Sequence, residues 1–83
     1  MPLFLIERQF AEQLEVDEEG EREITRVNGE VGVNWLYSFL SADKKKTYCL
    51  YEAPNAELIR EAARRLGLPA DTVVAVDQVV PQA

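Results

Sequence analysis

The chain contains no histidine and a single cysteine, Cys49. The first absence excludes Ser-His-Asp and Cys-His catalysis, and with them every metal site built on imidazole. The second excludes an internal disulfide, so a reducing cytoplasm is expected rather than a secreted scaffold. The four glycines are scattered, leaving no phosphate-cradling loop or nucleotide-binding fingerprint. No apolar run approaches the roughly 20 residues of a membrane span, so no membrane association is expected. The opening stretch, Met1 to Phe10, is broken by Glu7 and Arg8 and has no basic segment before it, which does not read as a signal peptide.

What is present is a one-sided charge. Residues 1–30 hold nine acids against three arginines, whereas acids and bases balance over the remainder, so the whole net charge of −6 belongs to the first part of the chain. Such a chain repels phosphate backbones, and no nucleic-acid partner is expected. Its one basic run, Lys44-Lys45-Lys46, is too short to change that. Seven acids fall within residues 12–23. They lack the Asp/Asn-Gly spacing of a calcium loop and read as a solvated face or a docking surface.

A length of 83 residues suits one domain spanning 1–83, small enough to gain stability from oligomerisation. Leu3 to Phe10 reads as a strand. Asp17 is placed to cap a helix, and Ile24, Val27 and Val31 repeat along one helical face, although Gly20 and Asn28-Gly29 interrupt it. Val33 to Ala42 reads as a second strand, with Trp35, Tyr37 and Phe39 expected on one face and Leu36, Ser38 and Leu40 on the other. A polar turn at Asp43 to Lys46 leads to a third strand, Thr47 to Ala53. Asn55 caps a second helix whose inward face is Ile59, Ala62, Ala63 and Leu66, with Glu61 paired to Arg64 and Arg65 and Gly67 closing the last turn. Val73 to Val80 reads as the fourth strand.

The order β-α-β-β-α-β predicts a ferredoxin-like α+β fold. Its four-stranded antiparallel sheet has spatial order 4-1-3-2, with two helices on one face. Such a sheet should alternate apolar and polar residues. Here both faces are apolar: Leu3/Leu5 against Phe4/Ile6, and Val73/Ala75 against Val74/Val76. The face without helices is therefore expected to pack on a second copy, giving a homodimer joined sheet to sheet.

Glu7 interrupts an apolar central strand, where an unpaired carboxylate is costly. It either faces a pocket, pairs with Arg8 or Arg60, or lies near the strand end. Trp35, Tyr37, Tyr48 and Tyr51 are candidates to line a ligand groove, or else belong to core and interface. Cys49 is a small buried hydrophobe or a metal-ligating thiol.

The segments Trp35–Phe39, Thr47–Asn55 and Ile59–Asp71, with the opening strand Pro2–Arg8, resemble a small bacterial family of unknown function that includes nickel-binding, nickel-responsive proteins. The carrying motifs are Tyr48-Cys49-x-Tyr51-x-Ala53-Pro54, Ile59-Arg60-x-x-Ala63-Arg64 and Gly67-x-Pro69-Ala70-Asp71. The resemblance implies a ferredoxin-like dimer with nickel or another transition metal as cofactor, and Cys49 and Glu7 at family positions. It also exposes a departure: where family members often carry histidine, this chain has Ala62. Thiolate with carboxylates is a poor nickel set, and two Cys49 thiolates would combine only near a dimer axis. The expectation is thus a non-catalytic small-ligand or metal-binding protein. The alternative is a cofactor-independent enzyme of the dimeric α/β-barrel kind, with Glu7 as base and Tyr37, Tyr48 or Tyr51 as orienting donors.

Overall fold

A computed structural model describes residues 1–79. The chain runs β1 (Leu3–Gln9), α1 (Glu18–Val31), β2 (Asn34–Leu40), β3 (Lys46–Glu52), α2 (Ala56–Leu66) and β4 (Thr72–Val76). The strands form one sheet in the order β2-β3-β1-β4 with every neighbouring pair antiparallel. This is the ferredoxin-like arrangement expected from the element order.

Each helix begins and ends where local chemistry provides for it. Asp17 Oδ1 accepts from the Gly20 N–H at 2.8 Å, and Asn55 Oδ1 accepts from the Leu58 N–H at 3.1 Å, each satisfying an amide that the first turn leaves unpaired. Both helices close on a left-handed glycine, Gly32 at φ 88° and Gly67 at φ 67°, a conformation that a Cβ disfavours. The Asn28-Gly29 pair does not break α1. Asn28 is buried, and its Nδ2 donates to the Tyr51 hydroxyl at 3.4 Å, so a weak helix former is held by a cross-layer contact.

Alternation along the central strands decides the layers. Phe4, Ile6 and Arg8 of β1 and Thr47, Cys49 and Tyr51 of β3 are buried, and the apolar members of this set form the core with Val27 of α1 and Ile59 and Ala62 of α2. Ile6 and Ile59 are fully enclosed. The opposite face carries Leu3, Leu5, Glu7, Tyr48 and Leu50, with Tyr37 and Phe39 contributed by the edge strand β2 at 64% and 63% exposure.

Two expectations are corrected. In β2, Trp35 pairs with Tyr51 but Tyr37 pairs with Leu50. Leu36 is an extra residue opposite no partner, a β-bulge that flips the alternation. Trp35 therefore shares its face with Ser38 and Leu40, while Tyr37 and Phe39 point the other way. The fourth strand is also shorter than expected and ends at Val76, which pairs with Leu3, the first residue of β1. Beyond it stands Pro2, which has no N–H to continue the ladder; Val80 lies outside the described residues. Among the described residues no helix is long and apolar enough to cross a membrane.

Candidate functional site

The two helices cover the sheet unevenly. The core lies under α1 and α2 over β1 and β3, and the edge strand β2 projects beyond it, so that Ser38 and Leu40 remain exposed on the helix side. The result is a half-open cavity of about 720 Å³ between β2, β3, α1 and the loop leading into α1. That loop forms its rim. The Phe10 and Leu14 amides donate to the Lys45 and Lys44 carbonyls at 2.8 and 2.7 Å, and Gln13 Nε2 donates to the Asp43 carbonyl at 3.3 Å. The rim is thereby tied to the β2–β3 turn.

The floor is a directed chain of polar groups. The Trp35 indole N–H donates to Ser38 Oγ at 2.6 Å, the Ser38 hydroxyl donates to Cys49 Sγ at 2.9 Å, and the thiol donates to Thr47 Oγ1 at 3.7 Å. The bulge at Leu36 makes the chain possible by turning Trp35 and Ser38 to one face. Beside it lies Arg8, 4% exposed, with Nη1 donating to the Pro69 carbonyl at 2.6 Å. Tyr51 completes the polar lining. Burial pushes its phenol above the usual tyrosine range, against the opposing effects of the Asn28 hydrogen bond and the Arg8 charge, so it stays protonated and able to donate. Phe10, Leu14, Ile24, Leu36, Leu40 and Leu68 supply apolar walls.

The residues singled out in the sequence divide between the two faces. Trp35, Cys49 and Tyr51 come together in the cavity, whose edge Tyr37 also borders. Glu7 and Tyr48 lie on the open face of the sheet. Glu7 pairs with neither Arg8 nor Arg60: its Oε1 is 3.7 Å from Lys46 Nζ, while Arg8 occupies the opposite face and Arg60 meets Glu57 at 3.8 Å. The Lys46 ammonium also lies 5.1 Å from the centre of the Tyr48 ring. Cys49 pairs with Ile6 across β1 and β3, so Cys49 and Glu7 are on opposite faces and do not meet. Ala62 is buried in α2 at 3% exposure and offers no donor.

Arg8, Ser38 and Thr47 were not singled out. For Arg8 a signal existed, because it continues the period-two series Phe4, Ile6, Arg8 and so falls in phase with the core. No comparable signal marked Ser38, since the bulge that turns it inward has no proline or glycine to announce it.

Comparison with known proteins gives two findings. The model of a family described as nickel-responsive proteins like SCO4226 matches residues 4–76. Among solved structures, the crystal structure of SCO4226 from Streptomyces coelicolor A3(2) is similar, with a TM-score of 0.80 over 94% of this chain and 99% of that one at 20% identity. No curated protein matches.

Proposed function

The chain belongs to the SCO4226-like family of nickel-responsive proteins, and from that premise we propose that it is a small, non-catalytic, cytoplasmic binding protein that takes a small organic ligand in the cavity beside β2. The observation that carries this reading is the cavity itself, about 720 Å³ with a polar floor and apolar walls. Its size falls in the range of roughly 300–1,000 Å³ usual for small-molecule sites.

The family name raises nickel, and the donor set does not fit it. Nickel favours imidazole and thiolate. Around Cys49 there are hydroxyls from Ser38 and Thr47, and among the described residues no group of three or more His, Cys, Asp and Glu side chains could hold a metal. A fixed cation, Arg8, shares the same face one diagonal step away and opposes a second positive charge. Nor would a sheet-to-sheet dimer supply the missing ligand, because Cys49 lies on the helix side. Titration of tag-free protein with Ni²⁺ and Zn²⁺ is expected to give no heat at micromolar protein, while small organic ligands perturb the emission of Trp35, the sole tryptophan. Saturable uptake of one ion per chain that disappears in Cys49→Ser would overturn this reading.

The proposal includes a homodimer through the open sheet face. The exposed rings of Tyr37 and Phe39 lie beside the partly buried Leu5, Leu50 and Tyr48, and the Glu7–Lys46 pair gives this face both signs of charge, which suits a self-complementary twofold contact. Light scattering should return twice the chain mass at micromolar concentration and the single mass for Phe39→Glu; a wild-type monomer under the same conditions contradicts it. The enzyme alternative requires Glu7 in the wall of an enclosed pocket, and Glu7 does not line this cavity.

A further inference from the structure

We propose that the cavity binds a small organic carboxylate with an apolar body, its anionic head held by Arg8; this rests on reading the cavity as a ligand site.

The chain has six arginines. Five lie in ion pairs on the helices: Arg22 with Glu18, Arg26 with Glu23 and Glu30, Arg60 with Glu57, and Arg64 and Arg65 with Glu61. Arg8 is the sixth and the most deeply buried, at 4% exposure. Among the described residues it meets no carboxylate, in a protein with an excess of acids. A guanidinium removed from water without a counter-ion is unfavourable, and its bonds to the Pro69 carbonyl and the Tyr51 hydroxyl offset only part of that. Each of its nitrogens is either partnered or reachable from solvent. The one fully buried side-chain N or O atom without a partner, among the described residues, is Asn28 Oδ1. Arg8 also hydrogen-bonds the Tyr51 hydroxyl, and the two residues line the cavity together.

The surroundings specify the rest of the ligand. Tyr51 accepts from Asn28 Nδ2 and from the Arg8 guanidinium and keeps its own proton for donation toward an anion. The Ser38 hydroxyl is engaged by Trp35 and Cys49. One guanidinium neutralises one negative charge, and among the described residues no second base lines the cavity. A carboxylate monoanion matches this better than a phosphate dianion, and the guanidinium fork fits a carboxylate edge. Leu14, Ile24, Leu40 and Leu68 then enclose an aliphatic or aromatic body. Glu21, the one carboxylate in the lining, belongs to the exposed first turn of α1, where solvent screens it.

The full chain is titrated with octanoate and 4-phenylbutyrate, with their primary amides, and with inorganic phosphate, following Trp35 emission and heat. Carboxylates are expected to bind at least tenfold more tightly than their amides, and phosphate not at all. Arg8→Met should abolish that preference, and Arg8→Lys should weaken carboxylate binding about tenfold, by keeping the charge but losing the fork. Arg60→Ser, on the exposed face of α2 and outside the cavity lining, should leave it unchanged. The carboxylate–amide comparison needs no variant, so the test survives a poorly folded Arg8→Met. Equal binding of acids and amides overturns the anion while leaving the ligand site intact. Phosphate binding as tight as the carboxylates also overturns it. Failure of every organic probe to bind overturns both this inference and the ligand-site reading.

Discussion

Arg8 is also where a stability measurement separates a binding residue from a structural one. Consider Arg8→Met, which keeps an unbranched stem and removes the charge together with the guanidinium tip. The variant loses the bond from Nη1 to the Pro69 carbonyl; hydrogen bonds to charged groups contribute about 1.5–3 kcal/mol. Against this, burying a single charge carries a desolvation penalty of several kcal/mol, which the variant no longer incurs. The two nearly cancel, and the net change is expected within about 2 kcal/mol of zero in either direction. The contrasting case is a buried arginine paired to a carboxylate, whose truncation strands the partner and costs about 3–5 kcal/mol. No such partner exists here among the described residues. Urea denaturation followed by Trp35 emission measures the difference, with an m-value of about 1 kcal/mol/M or somewhat more for a small chain. A loss of more than about 3 kcal/mol would refute the reasoning. It would mean that Arg8 holds the Pro69 segment against the sheet and that its burial serves the fold rather than a ligand.

Three further outcomes follow from the packing and the charges. Ile59 is 1% exposed, so Ile59→Ala should cost about 2–5 kcal/mol in the same assay, and a cost below 1 kcal/mol would place it outside the core. Hydrogen bonding and charge from Arg64, followed by those of Arg65, hold the Glu61 carboxyl below its ordinary value of 4.5. A depressed pKa in the folded state contributes stability that is present above 4.5 and lost as pH falls through the native value. Stability measured from pH 6 to pH 3 should therefore fall less steeply in Glu61→Gln than in the wild type, and parallel curves would rule the pairing out as a source of acid sensitivity. Tyr51 is shifted the other way: burial raises its phenol above 10, so its contribution is complete below pH 10 and lost as the unfolded chain ionises above it. Tyr51→Phe should lose about 0.5–1.5 kcal/mol at pH 7 with the Asn28 bond, and the gap to wild type should narrow at pH 11; a constant gap would show that Tyr51 does not titrate differently on folding.

Much of this was legible in the residues. The second helix was marked by its cap at Asn55, its inward face of Ile59, Ala62 and Ala63, its Glu61–Arg64–Arg65 pairing and its closing Gly67, because each of these signals is local and they agree. The first helix was legible at Asp17 but ambiguous at Asn28-Gly29, because its rescue comes from Tyr51, 23 positions away in sequence. The candidate site was half legible. Trp35, Cys49 and Tyr51 were chosen for their chemistry and do converge, whereas Glu7 and Tyr48 lie across the sheet. Period-two reasoning applied to β1 and β3 separates these groups correctly. It fails in β2, because a bulge shifts the phase without changing composition.

The lack of histidine, the lone cysteine, the charge asymmetry and the periodicities determined by themselves that this chain folds as β-α-β-β-α-β, with two apolar sheet faces and no imidazole chemistry. These are properties of single residues and near neighbours, and they hold however the chain is arranged. Only the tertiary structure decided that Leu36 is the extra residue of a bulge, that Trp35, Ser38 and Cys49 therefore join in one chain of hydrogen bonds, and that Arg8 is buried beside them without a counter-ion. Register and burial come from cross-strand pairing between distant segments, and a one-residue shift there moves a side chain from one face of the sheet to the other.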